Sequence, residues 1–149
     1  MRYRVFGAND AAIEPAPFLE HLRGAGFDVT TSFRGDEHGW FEAEMHLAGE
    51  DEPIKLERFL ASEEGVRHEL HTWIAWLETI DSSHQDRLIR QLVGTKQIFI
   101  LSLPDDIEQQ LSELYVAVCR YLAQETGGIY QMDGHGFFQA NGDLLLKEE

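Results

Sequence analysis

The sequence predicts an α+β fold: a mostly antiparallel sheet with helices packed on one face. Three observations carry that expectation. Trp40–Leu47 alternates between apolar and polar residues, as a half-buried strand does. Ile107, Leu111, Leu114, Tyr115, Val118 and Leu122 recur at helical spacing and form one apolar stripe. Strand signals come in runs instead of alternating strictly with helices, which favours antiparallel pairing.

The elements follow in order. Arg2–Phe6 reads as a first strand. Pro17 opens a short helix that places Phe18 and Leu22 on one side, and Gly24 and Gly26 end it. Val29–Phe33 is rich in β-branched residues, and Arg34–Gly39 is a turn. In the strand Trp40–Leu47, Phe41, Ala43, Met45 and Leu47 are expected on the buried face, with Glu42, Glu44 and His46 opposite. Ala48–Pro53 turns the chain into another strand, Ile54–Leu60, and the three sequential strands from Val29 onward imply an antiparallel meander.

Ser62 is placed to cap a helix whose stripe is Val66, Leu70, Trp73, Ile74 and Leu77. Ser82 or Ser83 caps a shorter one carrying Leu88, Leu92 and Val93. Ile98–Leu101 is apolar on both faces, as a central strand should be. Asp105 and Glu108 have capping-box spacing at the start of a helix running to Glu125. Gly127-Gly128 stops that helix. Three short strands follow, with Asn141-Gly142 as a hairpin turn between the last two.

Composition bounds the function. A chain of 149 residues, 43% hydrophobic and 26% charged, suits one globular domain spanning 1–149. The N-terminus lacks the apolar core of a signal peptide, and no run approaches a membrane span. Cys119 is the only cysteine. It falls near the edge of a helical stripe and reads as a small buried hydrophobe. One cysteine and no disulfide framework suit the cytoplasm. The net charge of −15 argues against direct nucleic-acid or anionic-membrane binding. Between Phe33 and Glu64, ten acidic residues face only Arg34, Lys55 and Arg58.

Several constellations could carry chemistry. Glu42, Glu44 and His46 share a strand face, but residues two apart on a strand lie about 6.5–7 Å apart, too far for one ion without other ligands. His68 and His71, with Glu64, lack the spacing of a zinc-protease motif and the third ligand of a catalytic zinc. No metal site and no cofactor are therefore expected. Arg34-Gly35-Asp36 is read as a hairpin turn, and Trp73 and Trp76 as core and core rim. Asp133-Gly134-His135-Gly136 is the most suggestive loop. Its glycines would let a ligand approach the backbone, and His135, with Asp133 and Tyr130 nearby, would serve as acid–base. Turn chemistry accounts for the same residues.

The stretch from Leu122 to Phe138 contains a helix ending at Gly127-Gly128, followed by the aromatic, Asp-Gly-containing segment Ile129–Phe138. It resembles a pattern in small bacterial α+β proteins, some of them similar to immunity proteins of toxin systems. The resemblance covers little more than a tenth of the chain. It implies a bacterial origin and a binding role, and carries over no catalytic residue. Together with the charge, it gives the leading expectation: an acidic module of inhibitor or immunity type engaging a basic protein. Glu42, Glu44, Glu50, Asp51 and Glu52 would be its contacts and Trp40 its aromatic anchor. The alternative is small-molecule binding or catalysis at the His135 loop.

Overall fold

The computed structural model describes residues 1–104 and 109–148. Twelve elements follow one another: β1 (Arg2–Gly7), α1 (Pro15–Gly24), β2 (Val29–Asp36), β3 (Gly39–Leu47), β4 (Ile54–Leu60), α2 (Glu64–Glu78), α3 (Gln85–Val93), β5 (Gln97–Ser102), α4 (Gln109–Thr126), β6 (Ile129–Met132), β7 (Gly136–Gln139) and β8 (Leu144–Lys147). The expected capping box at Asp105 and Glu108, and Ile107 of the stripe, lie outside the described residues. The cap expected at Ser62 is not used. The residue before α2 is Glu63, whose carboxylate accepts from the Leu60 amide.

The fold is α+β. One eight-stranded sheet has the order β2-β3-β4-β5-β1-β6-β7-β8, and its neighbouring pairs are antiparallel. Two meanders, β2-β3-β4 and β6-β7-β8, flank the central pair β5-β1. The α2–α3 hairpin leaves β4 and returns beside it as β5. The α4 connection strides over β1, so that β5 and β6 both lie against it.

The helices cover both faces, not the single face expected from sequence. α1 and α4 pack Phe18, Leu22, Leu114 and Val118 against Val5, Met45, Leu56 and Phe99. α2 and α3 pack Leu70, Leu77, Leu88 and Leu92 against Phe6, Ile98, Ile100 and Ile129. The physical reason is visible in β5. Successive strand residues point to opposite faces, so Phe99 and Leu101 need cover on one side, and Ile98 and Ile100 on the other. Each side chain so buried contributes about 1.5–3 kcal/mol.

Cover is uneven along the sheet. The second core takes no residue from β2 or β3. On that side Thr30, Ser32, Arg34, Glu44, His46 and Lys55 are exposed. One end of the sheet therefore has a helical layer on one face and open solvent on the other.

Candidate functional site

The open face is built by β2, β3 and β4. Arg34 pairs with Glu42 across β2–β3, and Glu42 lies opposite Glu57 across β3–β4. Glu44 stands between Ser32 and Lys55 in the next row. Two like charges directly opposite are unfavourable, and cations relieve them here. Arg34 Nη2 donates to Glu42, and Lys55 Nζ lies 3.9 Å from the same carboxylate. His46 Nε2 lies 4.0 Å from Glu44. Glu57 is left with no ion pair among the described residues. Glu50, Asp51 and Glu52 project from the β3–β4 turn, with Asp51 and Glu52 exposed and Glu50 half-buried. The acidic contacts expected from sequence are thus brought to one end of the sheet.

Trp40 is not among them. It is 7% exposed, and its Nε1 donates to the Ile13 carbonyl at 2.8 Å. Its ring packs on Phe33 and Phe99. It is a core residue and cannot serve as the aromatic anchor. The cause is a β-bulge. Arg34 pairs with Glu42 but Gly35 pairs with Trp40, so Phe41 is the extra residue of β3. A bulge shifts the in–out alternation by one. Trp40 joins Ala43 inside, while Phe41, expected inside, is 40% exposed beneath the Arg34 guanidinium.

Beside this face lies a cleft of about 430 Å³. Phe59, Val66, Ile98 and Ile100 give it apolar walls, and Glu57, Glu63 and Glu69 with Arg2 give it a charged rim. Glu57 belongs to both places: it is the neighbour of Glu42 in the ladder and a wall of the cleft. Sequence inspection missed this site because its walls come from distant segments. The local sign was Phe59, two residues beyond Glu57 and so on the same side of the strand.

The His135 loop is arranged for structure. Asp133 accepts from the Arg2 amide, from Arg4 Nη1 and from Gln131 Nε2 at 2.8–3.0 Å. Arg4 also donates to Glu69 of α2 and to Gln131, and lies over the Trp73 ring at 5.2 Å. Burial alone would raise the Asp133 pKa. The hydrogen bonds from Gln131, Arg2 and Arg4, with the Arg4 charge, outweigh it and hold the carboxyl below the ordinary aspartate value. Tyr130 lies on the opposite face, stacked on Phe138, and burial raises its pKa against the hydrogen bond and charge of Arg120. His135 is exposed, and its backbone pairs with Met132 and Glu148. The structure does not bring Tyr130, Asp133 and His135 together.

The loop glycines have their own reasons. Gly134 has φ +81 in the turn. At Gly136, with φ +138, a Cβ would stand 2.0 Å from the Leu146 carbonyl oxygen, so only glycine lets β8 lie alongside. Cys119 is fully buried, and burial pushes its thiol pKa far up, which leaves it inert. Among the described residues no group of three His, Cys, Asp or Glu side chains is placed to hold a metal ion. No helix among them is long and apolar enough to cross a membrane.

No family model matches the chain, and neither a curated protein nor a solved structure matches it.

Proposed function

We propose that the chain is a protein-binding module that engages a basic partner through the open face of β2–β4 and the cleft beside it. The observation that carries this function is the continuity at Glu57: an uncovered, acidic strand face runs directly into an apolar-walled cleft. Acidic residues steer a basic partner and set its orientation, while affinity comes from an apolar side chain seated in a desolvated pocket. Phe59, Val66, Ile98 and Ile100 provide that seat. The anchor therefore belongs to the partner, and this chain supplies the socket. Such an arrangement fits an inhibitor or immunity protein of a basic enzyme, and the lone buried cysteine suits a reducing cytoplasm.

Capture from a lysate of the source organism tests the function. The immobilised chain is compared with E42K/E44K/D51K and with Gly65→Trp at low and high salt. Gly65 lines the cleft, and a Cβ there meets no atom within 4 Å, so a larger side chain can start from this position without a clash at its first atom. A basic protein held by the wild type at low salt, released by salt and lost from both variants is the expected result. Equal retention by all three chains refutes the assignment.

A further inference from the structure

A second and larger cleft lies on the far side of α2. It holds about 510 Å³ between α2, the C-terminal end of α3, the turn that leads from α3 into β5, and the end of β4. Its floor is Leu70, Ile74 and Leu92, and Val93, 69% exposed, stands at its edge. Its charged side chains reverse the character of the molecule. Arg67 and Lys96 line it with His71, against the single carboxylate of Asp10. Acids outnumber bases 27 to 12 in this chain. Arg4, Arg34 and Lys55 each have a carboxylate neighbour. Arg67 and Lys96 form no ion pair among the described residues, as is also true of Arg2, Arg23, Arg58, Arg87, Arg90, Arg120 and Lys147; what sets these two apart is that they line one apolar-floored cleft.

We infer that this cleft binds a small organic carboxylate with an apolar body. Its volume lies within the roughly 300–1,000 Å³ of small-molecule sites. The apolar floor takes the hydrocarbon portion, which gains about 25 cal/mol for each Å² removed from water. The carboxylate lies at the rim, where the Arg67 guanidinium and the Lys96 ammonium, two bases against the one Asp10 carboxylate, offer charge-assisted hydrogen bonds. Charge sets the class of ligand. An aliphatic amine would meet two cations, and a neutral alcohol would leave both unpaired. The net negative charge of the protein does not prevent binding, because a Debye length of about 8 Å at physiological salt screens the distant acids from this rim. The site is separate from the acidic face, since the two clefts share no lining residue.

Octanoate, octan-1-ol and octylammonium serve as matched probes, titrated into the full chain by calorimetry with amide chemical shifts as the map. Octanoate is expected to bind at least tenfold more tightly than octylammonium, with shifts at Arg67, His71, Thr95 and Lys96. The exposed pair R67E/K96E is expected to lose octanoate by tenfold or more and to favour octylammonium, a reversal that a misfolded chain would not produce. E42K/E44K/D51K is expected to bind octanoate like the wild type. Equal binding of all three probes to the wild type, shifts confined to other parts of the chain, or an unchanged preference in R67E/K96E overturns the inference. So does the absence of any octanoate binding at millimolar concentration.

Discussion

The centre and the open end of the sheet hold the same kind of ion pair in opposite ways. At the centre, Arg4 is 11% exposed beneath α2 and is held by Glu69, Asp133 and Gln131. At the open end, Arg34 is 71% exposed and reaches Glu42 across a strand that no helix covers. Burial decides what each pair does. Arg4 is largely desolvated, and the partners of its Nε and Nη1 join β1, β6 and α2 into one unit. Arg34 keeps its hydration and loses little if its partner leaves. The Arg4 cluster ties elements together, and the Arg34–Glu42 pair leaves its arginine in solvent.

Substitutions on either side of the bulge give the largest contrast. Trp40→Ala removes a buried indole with its hydrogen bond to Ile13 and is expected to cost about 3–5 kcal/mol. Phe41→Ala removes an exposed ring and is expected to cost less than about 1 kcal/mol. Urea unfolding of the two variants measures both. Equal costs would mean that β3 does not carry the bulge.

The arginines come next. Arg4→Met leaves Glu69 and Asp133 without their cation and is expected to cost roughly 2–3 kcal/mol, less than a fully buried pair because both acids keep some exposure. Arg34→Met is expected to change stability by no more than about 1 kcal/mol. A double-mutant cycle of Arg4 with Asp133, set against one of Arg34 with Glu42, sharpens the comparison.

The pH dependence is the smallest of these effects. The folded pKa of Asp133 is lowered, so its contribution to stability is present above the ordinary aspartate pKa. It is lost as the pH falls through the depressed folded value. The stability difference between wild type and Asp133→Asn should therefore be widest near neutral pH and narrow in acid. A difference that widens on acidification would contradict the hydrogen-bond arrangement around Asp133.

Much of this was legible in the sequence. The alternation at Ala43, Met45 and Leu47, the stripe at Leu114 and Val118, and the Asn141-Gly142 turn all reflect local periods that tertiary packing preserved. The bulge was not legible, because one extra residue in a strand appears only when its partner's register is known: Gly35 against Trp40, Arg34 against Glu42. A helical stripe likewise does not say which face of a sheet it will cover. The sign of two faces was nevertheless present in Ile98–Leu101, apolar on both sides. Of the open face, the acids were readable one by one. The cleft was not, since Phe59, Val66 and Ile98 meet only in the folded chain.

The central claim is that the bare end of the sheet is the recognition surface. Its most direct test is the association rate of the captured basic partner, measured by stopped flow at low and at physiological salt. E42K/E44K/D51K should slow association at low salt by tenfold or more, and the gap should shrink as salt is added. Gly65→Trp should leave the association rate near that of the wild type and speed dissociation instead. An association rate at low salt that charge reversal leaves unchanged would contradict the claim and place recognition elsewhere on the molecule.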